Sequence, residues 1–164
     1  MSEFENDSLL NKLRYETITE FAKTLEMFGL TAGEARLFVA LYLVNEPMTL
    51  DNMSEMLAKS KTSMSTGIRT LVDLNLVERV WVKGVRKDLY KANDDIFNKF
   101  MSSFVLRWLD ATMRQKASIL EIKQSLTEDK HSIPAHQVEE LNDRLHQIIT
   151  FHNEISQALS KLDV

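Results

Sequence analysis

Three features of the amino-acid sequence predict a mainly α-helical protein carrying one small β-hairpin. Apolar residues recur at three- and four-residue spacing through most of the chain. Only four glycines and two prolines interrupt its 164 residues, and Pro47 and Pro134 both fall where the helical pattern breaks. Between Val77 and Ala92 the helical period gives way to VERVWVKGVRKDLYKA, rich in β-branched and aromatic residues.

The elements follow in order. Leu9 to Gly29 reads as a helix whose apolar face is Leu10, Leu13, Ile18, Phe21, Leu25 and Phe28, with Gly29 as its C-cap. Thr31 opens TAGE, a capping box with Glu34 at its third position. The helix it starts is apolar through LFVALYLV, so it belongs at the centre, and Glu46-Pro47 ends it near Asn45. Thr49 caps a short third helix carrying Leu50, Met53, Met56 and Leu57. Ser60 caps a fourth, with Met64, Ile68, Leu71 and Val72 on one side, ending near Asn75. The run from Val77 to Ala92 is a two-stranded hairpin turning at Lys83-Gly84.

Asp94-Asp95 then starts a long helix reaching about Thr127, with Ile96, Phe97, Phe100, Phe104, Trp108, Leu109 and Met113 on one side. EDKHSIPAH is the loop after it. From there Val138, Leu141, Leu145, Ile148, His152, Ile155, Leu159 and Leu162 alternate by three and four, a heptad seam. Such a helix needs a partner, either the preceding long helix or a second chain. Three helices followed by a hairpin make the plan of a winged helix-turn-helix, with a two-stranded β-wing and long C-terminal dimerisation helices. The expected division is 1–30 for an N-terminal dimerisation and packing helix, 31–92 for the winged domain, and 93–164 for dimerisation and a possible effector region.

Composition excludes several classes. The longest apolar run, Leu37 to Val44, is too short to span a bilayer, and MSEFENDSLL has no signal-peptide shape, so a cytoplasmic location without membrane contact is expected. No cysteine is present for a disulfide or thiolate metal site. His131, His136, His146 and His152 have no i,i+4 pairing, so no metal site is expected. There is no phosphate-binding loop, nucleophile elbow or zinc-protease motif, so no catalytic residue and no enzyme are expected.

Net charge is −4, which by itself opposes an anionic partner, but the charge is unevenly placed. Residues 1–57 carry four cations and ten acids, residues 92–164 eight and eleven, and residues 58–91 eight and three. A basic island of net +5 therefore lies between acidic flanks. Within it, the fourth helix turns Ser60, Lys61, Thr62, Ser63, Ser65, Thr66, Arg69 and Thr70 away from its apolar side, with no acid before Asp73. Hydroxyls bond phosphates or base edges, a threonine methyl suits the thymine methyl, and a helix N-terminus offers N–H groups to a phosphate. The hairpin tip adds Lys83, Gly84, Arg86 and Lys87, with Arg86 for a minor groove and the lysines for phosphates. Charge runs often mean only a solvated face. Here the charge coincides with an acid-poor helix behind a short helix and a tight turn, and double-stranded DNA is the expected partner.

The stretch Glu46 to Ala92, through SKTSMSTG and VWVKGVRKDLY, resembles the DNA-binding segment of GbsR-type repressors of the MarR-like winged-helix superfamily. The resemblance covers 47 of 164 residues. It implies a dimeric repressor of genes for osmoprotectant uptake or for making glycine betaine from choline, and two recognition helices related by a two-fold axis would fit a pseudo-palindromic operator. It also implies choline or a related quaternary ammonium compound as a possible effector. An aromatic cage would bind such a cation through ring quadrupoles. Tyr42, Trp81, Tyr90, Phe97, Phe100, Phe104 and Trp108 are the candidates, with ordinary core packing as the alternative reading. His152, inside the seam, reads as a register-setting polar residue or a pH-sensitive pair across a dimer axis. The competing function is a winged-helix and coiled-coil module that binds protein and reads no DNA.

Overall fold

We describe residues 3–128 and 133–162 of a computed structural model of the chain. Residues 129–132 of the expected loop, His131 among them, lie outside the described residues. The order is α1 (Glu3–Glu26), α2 (Ala32–Val44), α3 (Leu50–Leu57), α4 (Lys61–Asp73), β1 (Val77–Val80), β2 (Leu89–Ala92), α5 (Ile96–Glu128) and α6 (Ala135–Leu159). The chain divides into two compact units, Met1–Phe100 and Met101–Val164, the boundary falling inside α5.

The first unit is built round α2. Its N-terminus is the expected capping box, Thr31 and Glu34 bonding each other's backbone N–H, and Asn45 ends it in the left-handed region. Leu37, Phe38, Val39, Ala40 and Leu41 are wholly enclosed. Five consecutive buried residues mean that α2 is covered on every side, which explains its all-round apolar sequence. α1 supplies Ile18, Ala22 and Leu25 to this core, α3 supplies Met53, and α4 supplies Met64, Ile68 and Leu71. Phe100 closes it, edge-on to Phe38 at 5.0 Å and to Phe28 at 5.8 Å. α1 starts before the expected Leu9, and its Leu10 and Leu13 stay about half exposed.

α3 and α4 form the helix-turn-helix. α3 is capped by a second box, Thr49 with Asn52. Ala58 takes φ 50°, and Lys59 N–H donates back to the Ser54 carbonyl at 3.1 Å. Ser60 then caps α4 through Ser63 N–H at 3.2 Å. Gly67, beside the core face of α4, is approached by side chains and not by another helix's backbone. The nearest is the Leu37 side chain, whose Cδ2 would lie 3.0 Å from an added Cβ. α4 ends with Asn75 in the left-handed region and Leu76 N–H bonded to the Leu71 carbonyl at 2.9 Å.

β1 and β2 pair antiparallel, Val77 opposite Ala92 and Val80 opposite Leu89. Met48 and Tyr90 exchange both backbone hydrogen bonds at 2.9 Å, an isolated one-residue bridge to β2 that the sequence did not reveal. One residue of extended chain carries no period to detect. Val82 to Val85 close the wing's turn with Gly84 at φ 88°, the conformation glycine accepts without strain. The chain is thus mainly α with a two-stranded wing, a winged helix-turn-helix.

In the second unit, Val105, Thr112 and Leu126 of α5 and Leu145 and Ile149 of α6 are buried. The intervening half-buried positions, Leu109, Lys116, Ile119 and Lys123, complete a three-four repeat along α5. The expected seam of α6 splits. Val138, Leu145, His152, Ile155 and Leu159 are buried or half-buried, but Asn142, Ile149 and Ser156 join them, while Leu141 and Ile148 are exposed. Residues three and four positions along flank the same row, and Ile148-Ile149 puts an apolar side chain on both flanks. Leu162 falls past the end of α6. On α5, Trp108 and Met113 lie outside the buried repeat and are exposed, so the expected single apolar side is also divided.

Candidate nucleic-acid interface

The face of α4 opposite Met64, Ile68 and Leu71 is open to solvent. Ser60, Lys61, Thr62, Ser63, Thr66 and Arg69 are exposed, while Ser65 and Thr70 are half-buried at its margins. The Thr66 hydroxyl donates to the Thr62 carbonyl at 3.1 Å and Thr70 to the Thr66 carbonyl at 3.4 Å, which holds each rotamer and leaves the oxygen lone pairs outward. No acid occurs in the first turn of α4. At 13 residues, or about 20 Å, the helix is long enough to lie along a major groove about 12 Å wide.

Every residue from Trp81 to Asp88 is exposed, so Lys83, Gly84, Arg86 and Lys87 form the wing's outer edge. The cations of the interface fall into two sets. Arg69, Lys83 and Arg86 have no acidic partner among the described residues. Lys61 and Lys87 share one: their ammonium groups each stand 2.7 Å from Asp51, one on each carboxylate oxygen. The hydrogen bond from Lys61, then that from Lys87, hold the Asp51 carboxyl down at about 2. This cluster places the wing and the N-terminus of α4 on one side of the unit. Arg79 pairs with Asp88 across the wing.

Asp51 was missed in the sequence. An acid in the first turn after a threonine cap looks like an ordinary helix start, and its partners stand 10 and 36 positions away. The cage candidates are spread through different surroundings. Phe100 belongs to the core, and Tyr42 is half-buried, stacked on Phe38 at 6.2 Å. Tyr90 is half-buried in β2, Trp81 is 81% exposed on the wing, and Phe97 is exposed. In the second unit Phe104 and Trp108 are tilted together at 5.0 Å, and Trp108 lines a groove with Thr112, Phe151 and His152. His152 Nδ1 donates to the Ile148 carbonyl of its own helix at 2.8 Å.

Among the described residues no group of acids and histidines could hold a metal ion, and no helix is long and apolar enough to cross a membrane.

Comparison with known proteins agrees with this geometry. The chain is 30% identical over 146 residues to the putative HTH-type transcriptional regulator YvaV of Bacillus subtilis (strain 168), covering 87% of this chain and 82% of that protein. It is 33% identical over 111 residues to the HTH-type transcriptional repressor OpcR of the same organism, covering 68% of this chain and 60% of OpcR. Against the HTH-type transcriptional repressor GbsR, also of B. subtilis, identity is 36% over 108 residues, 66% of this chain and 59% of GbsR. The matches thus span about 60% of OpcR and of GbsR and most of YvaV. A crystal structure of a transcriptional regulator superposes with TM-score 0.57 at 20% identity, covering 90% of this chain and 96% of that one, a likeness of fold. No protein-family model matches the chain. The relatives are regulators and repressors, not enzymes.

Proposed function

The chain belongs to the GbsR-type family of HTH transcriptional regulators, and from that premise we propose that it is a cytoplasmic, homodimeric, sequence-specific DNA-binding repressor. The observation that carries this reading is the exposed, acid-free start of α4 beside a cationic wing. α4 enters the major groove, where Arg69 takes a guanine edge or a phosphate and the hydroxyls of Thr62, Ser63 and Thr66 meet base edges and backbone. Arg86 and Lys83 reach the flanking minor groove and phosphates.

Dimerisation is supported by the second unit. Its outer surface carries Leu106 at 67% exposure, Met113, Leu120 and Ile122 on α5, and Leu141, Ile148 and Phe151 on α6. A second copy would cover these side chains. A two-fold pair of α4 helices fits a pseudo-palindrome with half-sites about 10–10.5 bp apart. The target genes, those for osmoprotectant uptake or synthesis, rest on the kinship with GbsR. The effector is choline or a related quaternary ammonium compound, met by the faces of Trp108 and Phe104.

The test is a binding titration of the full chain on its own upstream DNA and on a scrambled duplex, across salt concentrations and with and without choline. A preference for the upstream duplex and a steep loss of affinity with salt are expected, because each neutralised phosphate releases counterions. Binding indifferent to sequence and to salt would replace this reading with the protein-binding module. No calorimetric heat and no change of operator affinity with millimolar choline would remove the effector alone.

A further inference from the structure

Asp51 is not itself among the groups proposed to meet DNA, yet it joins two that are, one on α4 and one on the wing. It stands in the first turn of α3, where a carboxylate suits the positive end of the helix. Its Oδ1 meets Lys61 Nζ, on the first turn of α4, and its Oδ2 meets Lys87 Nζ, on the arm of the wing that descends into β2. Among the described residues, this is the one ion pair or hydrogen bond joining the exposed stretch 81–88 to any helix.

We propose that Asp51 is a positioning residue of the interface: by bridging Lys61 and Lys87 it fixes the wing against the start of α4 and makes the two ammonium groups a preset pair. The contribution to DNA recognition rests on the reading of the preceding subsection. The positioning itself does not.

The chemistry permits both roles at once. An ammonium group has three donors, so each lysine can bond Asp51 and still face a phosphate. A shared carboxylate also lowers the net charge of the cluster from +2 to +1. Attraction to an arbitrary duplex is thereby weakened, while a duplex whose phosphates match the preset pair meets donors already ordered. Asp51 exchanges indiscriminate affinity for a correctly spaced contact. It stays ionised at every pH where the protein would work.

The experiment compares the full-length wild type with Asp51→Asn and Asp51→Glu, with thermal melting to establish that each is folded. Two quantities are read: the heteronuclear NOE of the wing amides 83–87 without DNA, and the ratio of affinities for operator and scrambled duplex. In Asp51→Asn the wing amides should lose order. Affinity for the scrambled duplex should rise, and the operator-to-scrambled ratio should fall by about tenfold, the scale of coupling between directly contacting groups. Asp51→Glu, which keeps the charge, should recover most of the ratio. In a Lys87→Met background, Asp51→Asn should leave the wing order unchanged. Unchanged wing order in Asp51→Asn, with both affinities shifted by one common factor, would overturn the proposal and leave DNA binding standing. A wild type with no operator preference would instead defeat the DNA reading, and the amide measurement would still decide whether Asp51 holds the wing.

Discussion

Residues 1–100 and residues 101–164 solve the same problem in different ways. In the first unit four helices and the wing's base enclose Leu37, Phe38, Leu41, Met53 and Leu71 almost completely. In the second, two helices bury Val105, Leu126, Leu145 and Ile149, and two of the inward α5 positions between them are lysines. A pair of helices has one shared face, so apolar residues elsewhere on it have nothing in the pair to cover them. Both units leave apolar side chains open, Leu10, Leu13 and Met27 in the first and Leu106, Ile148 and Phe151 in the second, but only the first also has a many-sided core. The contrast is between a core enclosed from several sides and one shared face between two helices, and the proposed dimer gives the open apolar row of the second unit its use.

The largest effect that can test this contrast is loss of the central ring. Phe38→Ala should cost about 3–5 kcal/mol in urea unfolding, since it removes a wholly buried side chain touching two other rings. A cost under about 1 kcal/mol would mean that the core is not what α2 makes it. On the other side of the contrast, Ile148→Asp should weaken self-association by about 2 kcal/mol or more in sedimentation equilibrium. Near-ultraviolet circular dichroism of the first unit should not change. Association that ignores this substitution would show that the exposed row of α6 faces no partner.

Smaller effects distinguish the exposed cations. Arg69→Ala should weaken operator binding by about 1–3 kcal/mol with no loss of folding stability, because the side chain is exposed. Equal weakening on scrambled DNA would assign it to phosphate alone. Lys83→Ala and Arg86→Ala should each reduce the salt slope of binding by about one. An unchanged slope in both would take the wing out of the interface.

The smallest is a titration. The Asp51 carboxyl should show an NMR midpoint of about 2, returning toward the ordinary 3.8 when Lys61 and Lys87 are both replaced by Met. Because the folded-state value lies below the unfolded one, the stabilisation is complete above about pH 4 and is lost as pH falls toward 2. A midpoint that ignores both lysines would deny the pairing.

The first unit was the more legible of the two. Thr31, Thr49 and Ser60 each cap where the sequence places a helix start, because a cap is a local bond between residues three apart. The apolar row of α4 likewise settles which of its faces is open. Two kinds of feature were hidden. The Met48–Tyr90 bridge and the Asp51–Lys87 pair join residues 42 and 36 positions apart, and no local period encodes such a pairing. The inward row of α6 was hidden for the opposite reason. Ile148 and Ile149 satisfy two adjacent registers equally, so the period alone does not choose between them. The cage aromatics share this difficulty, since helical spacing places Phe97 and Phe100 near each other while one is open to water and the other enclosed.

Gly67 has a consequence for how the winged domain is assembled. With Leu37 so near, the missing side chain sets the clearance between α4 and the central helix, and hence how far the outer face of α4 stands from the body of the domain. A single methyl there would act as a shim. Either the Leu37 side chain or α4 itself would have to give by a few tenths of an ångström, without a change to any residue of the hydroxyl-bearing surface.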